Sequence, residues 1–167
     1  EHREGNIERD VDFDLGETDK GLESADLIME ETYNCAEIAQ VQSEPHAAIA
    51  EYDANRDFMT VRASTQVPYY GHKMLAKTLK MEESKVRMIK PFVGGGFGCR
   101  TECLNVELIC ALAARAAQGT VRIVTSREET FITHRGRPET DVEIKIGVKK
   151  DGVITAVDFK AIQRGGA

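Results

Sequence analysis

The 167-residue sequence contains no run of about 18 apolar residues, so no helix long enough to span a membrane is expected. It also lacks a basic stretch followed by a short apolar one, the pattern of a secretory signal peptide. Lysine and arginine never cluster, which argues against nucleic-acid binding, because such binding needs grouped cations to displace counterions. The net charge of -6 is unevenly placed: residues 1–20 hold eight acidic residues against Arg3, Arg9 and Lys20, read as a solvated edge. The four cysteines form no Cys-x-x-Cys pair, and no histidine stands at zinc-finger spacing from them. Cys99 and Cys103 are four apart, the spacing of one helix face, but all four are read as isolated thiols of a reducing cytosol. A cytoplasmic location is therefore expected.

What is present is a set of short, well-patterned elements. Alternation predicts an edge strand over Val11–Leu15, and weaker strands over Leu27–Tyr33 and Ala36–Gln42. Ala47–Tyr52 and Phe58–Ala63 flank the polar turn 53–57 and predict a hairpin. Val67–Lys80 reads as a helix with Pro68 in its first turn and an apolar stripe of Tyr70, Met74, Leu75 and Leu79. Lys85–Lys90 is expected to be a strand. Leu104, Leu108, Leu112 and Ala116 predict a helix that stops at Gly119, and Val121–Thr125 a short buried strand. Ser126-Arg127-Glu128-Glu129 is a capping box opening a helix that reaches about His134. Asp141–Val148 and Val153–Ala161 form a second hairpin around Asp151-Gly152. These elements predict an α+β fold, a mixed sheet with helices packed on one face, and a single domain over residues 1–167. Because the chain stops directly after a strand, it is read as a piece of a larger subunit.

The segment most suited to chemistry is Gly94-Gly95-Gly96-Phe97-Gly98, lying between a strand and a helix. Glycines let the backbone approach a ligand closely, and helix-start N–H groups favour an anion. A nucleotide-triphosphate loop would need Gly-Lys-Ser/Thr where Cys99-Arg100-Thr101 stands. A dinucleotide fingerprint fails as well, with Cys99 or Thr101 at its last glycine. A ligand-free glycine turn remains the plain reading of the loop taken by itself.

The loop also resembles the one that passes beside the metal in the molybdenum hydroxylases, the xanthine dehydrogenase–aldehyde oxidase–hydroxybenzoyl-CoA reductase family. Ser64-Thr65-Gln66 resembles that family's Ser/Thr-Gln pair, at the required interval from Phe97. Further matches follow in order: Asp19-Lys20-Gly21, Glu44-Pro45-His46, Val121-Arg122-Ile123-Val124, His134-Arg135-Gly136-Arg137-Pro138, Lys145-Ile146-Gly147, and Arg164-Gly165-Gly166-Ala167. The resemblance covers nearly everything after residue 10. It implies part of the catalytic subunit of an oxidoreductase that hydroxylates carbon in aromatic or aldehyde substrates with oxygen from water, or runs that chemistry backwards. It further implies a molybdenum–molybdopterin cofactor, with a cytosine nucleotide in bacterial members. Iron–sulfur clusters and FAD would lie on partner subunits or domains.

Carried over residue by residue, Gln66, Gly96, Phe97 and Gly98 would contact the cofactor, with Gln66 and Phe97 nearest the metal. Gln66 suits this place because a neutral amide donates without competing as a strong ligand. Phe97 and Thr101 would face a small-molecule substrate. Purine-oxidising members carry glutamate four residues after the phenylalanine. Thr101 stands there instead, which counts against a purine substrate. Gln66–Tyr70 and Gly98–Glu107 resemble hydroxybenzoyl-CoA reductases more narrowly. The family's catalytic base is a glutamate late in the full subunit, so no catalytic residue is expected here, and the piece alone should be inactive. His46, His72 and His134 are read as structural. The rival reading is a structural or interaction domain that keeps the fold and binds nothing, and such a domain has no reason to hold Gln66 and Phe97 at this interval.

Overall fold

A computed structural model describes residues 5–133 and 136–165, and His134, Arg135, Gly166 and Ala167 lie outside them. By its contacts the chain divides into two compact units where the sequence suggested one domain. The first takes residues up to 36 and from 138 onward, and the second takes 37–137. The mixture of helices and sheets is the α+β class expected.

The first unit holds α1 (Thr18–Glu23), β1 (Leu27–Cys35), β6 (Glu139–Val148) and β7 (Ile154–Arg164), an antiparallel sheet in the order β1-β6-β7. The β6–β7 hairpin forms as the Asp-Gly signal requires, with Gly152 at φ +90°. Rows of charge line one face of this sheet, including Lys145–Glu30 and Lys160–Glu143. Val11–Leu15 is not a strand. Its residues find no partner ladder among the described residues, and Val11, Phe13 and Leu15 are exposed. Alternation without a neighbour to pair with is not enough to make a strand. The short helix α1 had no clear sequence signal.

The second unit is built on a sheet of order β4-β3-β2-β5, from β2 (Ala47–Asp53), β3 (Phe58–Ala63), β4 (Val86–Ile89) and β5 (Thr120–Val124). β2–β3 is the expected hairpin, β4 runs parallel to β3, and β5 is antiparallel to β2. As an edge strand β5 alternates between exposed and half-buried, so it is not the buried strand predicted. Ala36–Gln42 contributes one isolated bridge, Ile38 to Arg137, and no strand. Alanine and glutamate favour strands weakly.

Two helices, α2 (Pro68–Leu79) and α3 (Asn105–Ala117), supply the rest of this core. Ala48, Ala50, Met59, Val61 and Ala63 face Leu75, Ala76, Leu79, Cys110, Ala111 and Ala114. The buried face of α3 is Glu107, Cys110, Ala111 and Ala114; of the expected Leu104, Leu108, Leu112, Ala116 row, Leu108 packs half-buried against the core while Leu112 and Ala116 are exposed. Small side chains let a helix lie close to a sheet, so the packed stripe is the one with less bulk. On α2, Leu75 and Leu79 are buried as expected, but Tyr70 and Met74 are exposed and Gly71 takes the inward place. α4 (Arg127–Ile132) opens with the predicted box: Glu129 N–H donates to Ser126 Oγ, and Ser126 N–H to the Glu129 carboxylate.

Candidate functional site

Hydrogen bonds join the two connections singled out in the sequence. Ser64-Thr65-Gln66 links β3 to α2, and the 94–103 loop links β4 to α3. Gln66 N–H donates to the Arg100 carbonyl at 2.9 Å, and Thr65 Oγ1 to the same oxygen at 3.3 Å. In return, Gln66 Oε1 accepts the N–H groups of Gly98 at 3.1 Å and Arg100 at 3.3 Å. Two N–H donors on one amide oxygen fix which way the carboxamide lies. Nε2 is thereby left as the outward donor, with no bond to any described residue.

The loop itself is a tight turn. Cys99 N–H donates to the Gly96 carbonyl at 2.9 Å, and the central residues Phe97 and Gly98 both have positive φ, +50° and +97°. Phe97 is thus held left-handed at a cost of roughly 1–2 kcal/mol, and the residue is 74% exposed. A side chain on Gly96 would displace the Gln66 amide, since a Cβ there would lie 2.5 Å from Gln66 Oε1.

Beneath the turn lies a buried charged brace. Arg100 is 1% exposed. Its guanidinium donates to the carbonyls of Ser64 (3.1 Å), Glu44 (2.6 Å) and Pro45 (3.3 Å), and pairs with Glu44 Oε2 at 3.2 Å. That carboxylate oxygen also accepts Ser64 Oγ at 2.7 Å and Gly94 N–H at 2.8 Å. The likeness at Glu44-Pro45-His46 does not foretell this pairing of Glu44 with Arg100. The available signal was an arginine set directly after a glycine loop, where a planar five-donor group can collect backbone carbonyls.

Over its whole length, residues 1–167, the chain matches the family model described as a molybdopterin cofactor-binding domain. The chain belongs to that family. A probable hypoxanthine oxidase of Escherichia coli is 39% identical to this molybdopterin cofactor-binding domain over 93% of the chain, which spans 16% of that relative. The large molybdopterin subunit of nicotinate dehydrogenase from Eubacterium barkeri is 33% identical over 99% of the chain and 39% of its own length. Among solved structures, aldehyde oxidoreductase from Desulfovibrio gigas shares the fold at a TM-score of 0.82 and 20% identity, covering 89% of this chain and 16% of that one. None of these three is a hydroxybenzoyl-CoA reductase, so the narrower likeness gains no support from them.

Within the molybdopterin domain, Thr101 Oγ1 donates to the Gly98 carbonyl at 2.8 Å, so the turn positions this residue. It opens onto a groove of about 380 Å³ lined also by Tyr70, Met74 and Cys103. The helix after the loop begins at Asn105 rather than near Thr101. Its first turn is already served by a carboxylate, because Leu104 N–H donates to Glu107 Oε2 at 2.9 Å. An anion site at that helix start is therefore not supported. Gly98 N–H is likewise engaged with Gln66, while the Phe97 N–H has no hydrogen-bond partner among the described residues. Burial pushes the Glu107 carboxyl up, with Cys103, the Leu104 N–H and Arg100 opposing. The Cys103 thiol is raised by burial and then by Glu107. His46 is buried beside Gln42, and His72 Nε2 lies 2.9 Å from the Glu83 carbonyl. Among the described residues no helix is long and apolar enough to cross a membrane.

Proposed function

We propose that this chain forms part of the molybdenum site in the catalytic subunit of an oxidoreductase acting at carbon in aromatic or aldehyde substrates. The reaction is hydroxylation or the reverse, reductive dehydroxylation. The observation that carries this reading is the Gln66 carboxamide, fixed by Gly98 and Arg100 with its NH2 outward beside the Phe97 turn. Among the described residues no group of three His, Cys, Asp or Glu could hold a metal ion. The donor set nevertheless fits a metal that arrives with its own dithiolene ligands. Such a group needs neutral hydrogen-bond donors and close backbone approach from the protein, and Gln66, Gly96, Phe97 and Gly98 offer these.

When bound, the cofactor supplies oxidation at carbon with oxygen drawn from water. The chain's own part is orientation and exclusion. Gln66 Nε2 and the Phe97 N–H would donate to the bound group, and the exposed Phe97 side chain would close the substrate side once substrate packs on it. Thr101 offers a small hydroxyl where the groove meets the turn. Glu107 is engaged in capping α3, and in this reading the proton-transferring base belongs to another part of the subunit. Electrons would leave through iron–sulfur and FAD partners. Four free cysteines accord with a cytoplasmic setting and a reducing compartment. A cytosine nucleotide on the pterin belongs to the same reading.

The test uses the complete enzyme. Elemental analysis should find molybdenum in stoichiometric amount, and product formed in oxygen-18 water from an aldehyde or a heteroaromatic acid should carry the label. Full turnover in enzyme free of molybdenum would refute the reading in favour of a domain that keeps the fold and binds nothing.

A further inference from the structure

The Glu44 carboxylate joins the two segments that carry Gln66 and Phe97. One oxygen, Oε2, receives Gly94 N–H from the glycine loop, Ser64 Oγ from the Gln66 connection, and the Arg100 guanidinium. Arg100 completes the tie through its backbone: its N–H is on Gln66 Oε1 and its carbonyl accepts Gln66 N–H. The fit is close, since a Cβ on Gly94 would lie 2.6 Å from Glu44 Cβ. Three donors converging on one carboxylate oxygen fix a position more narrowly than any single bond.

We infer that Glu44 is a positioning residue for the molybdenum site, setting through Arg100 and Gly94 where the Gln66 amide stands relative to the Phe97 turn. The inference rests on the function proposed above. Its mechanism is geometric: loss of the carboxylate lets the loop and the Gln66 connection drift apart, and the Gln66 amide loses its fixed place against the turn. Misplacing such groups by about 1 Å costs on the order of 10²-fold in turnover.

The test compares Glu44→Gln with Gln66→Ala in the holoenzyme. Glu44→Gln keeps an acceptor oxygen and removes the charge opposite Arg100. Amide exchange should quicken at both Gly94 and Gly98, on the order of 10-fold, because local opening is now shared by both segments. Turnover, kcat, should fall on the order of 10²-fold, with KM and molybdenum content unchanged. Faster exchange at Gly94 alone, or a wild-type kcat, overturns the positioning role. If Gln66→Ala also keeps wild-type turnover, the functional reading has failed, whereas unchanged Gly98 exchange in Glu44→Gln counts against Glu44 whatever Gln66 does. Should Glu44→Gln not accumulate, Ser64→Ala removes one of the three donors and leaves Arg100 paired. The same changes are expected there at smaller size, and wild-type exchange at Gly98 with wild-type kcat overturns the proposal.

Discussion

The Gln66 carboxamide oxygen accepts the Gly98 N–H at 3.1 Å, a bond between residues 32 apart in sequence. This relationship makes two roles of one side chain separable. Its oxygen serves the fold, and its nitrogen is free to serve a bound group. Gln66→Glu keeps an acceptor for Gly98 and Arg100 but removes the outward NH2 donor. We expect kcat of the full enzyme to fall on the order of 10²-fold, with the melting temperature held. Gln66→Ala should show the same fall together with a lower melting temperature, because two backbone N–H groups lose their acceptor. Equal turnover in Gln66→Glu and wild type would leave Gln66 as a structural brace only.

Gly96 and Gly98 predict opposite kinds of damage. A methyl on Gly96 meets Gln66 Oε1 at 2.5 Å, so Gly96→Ala must push the amide aside. A methyl on Gly98 meets nothing within 4 Å, but φ is +97° there. Gly98→Ala should therefore cost roughly 1–2 kcal/mol of stability from backbone strain. Turnover should drop far more in Gly96→Ala. Thermal denaturation and kcat, measured on both, decide this. Equal turnover losses in the two variants would contradict the clash at Gln66.

Much of this arrangement was legible before the structure, for identifiable reasons. The Asp151-Gly152 hairpin and the Ser126–Glu129 capping box are local devices, so a few residues specify them. Gln66 and Phe97 were found through family likeness. Glu44 matches the family within Glu44-Pro45-His46, but its tie to Arg100 is not legible in sequence, because it depends on a meeting between positions 56 residues apart. The helix faces misled for another reason. The leucine spacing points to Leu112, which is exposed, while the packed face of α3 is made of Cys110, Ala111 and Ala114, which periodicity scores as weakly apolar. Val11–Leu15 shows the reverse error, since its alternation is real but no strand lies beside it.

Cysteine reactivity follows from burial. Cys35 is exposed, Cys99 and Cys110 are buried, and Cys103 is half-buried with its thiol raised. The thiolate is the reacting species, so raising a thiol slows alkylation even where a reagent can reach it. Iodoacetamide at pH 7.5 should label Cys35 first, with Cys103 slower by about 10-fold or more, as read by peptide mass spectrometry. Cys103 labelled as quickly as Cys35 would mean that the burial raising its thiol does not persist in solution.

Glu107 ties stability to pH. It is 2% exposed, and burial raises its carboxyl above the ordinary value of 4.5. A folded-state value above the unfolded one means that the folded chain holds this proton more tightly. The resulting stability is fully present below about 4.5 and is lost as pH rises through the raised value. Glu107→Gln keeps an oxygen for the Leu104 N–H and removes the titration. The melting temperature of wild type minus that of Glu107→Gln should therefore decline steadily as pH rises from 4.5 toward neutrality. The Arg100 charge works against this decline by favouring the carboxylate, but it ranks below burial among the causes. A difference that is flat across the window would show that Glu107 is solvated in solution. A difference that grows with pH would show that Arg100, not burial, governs the site.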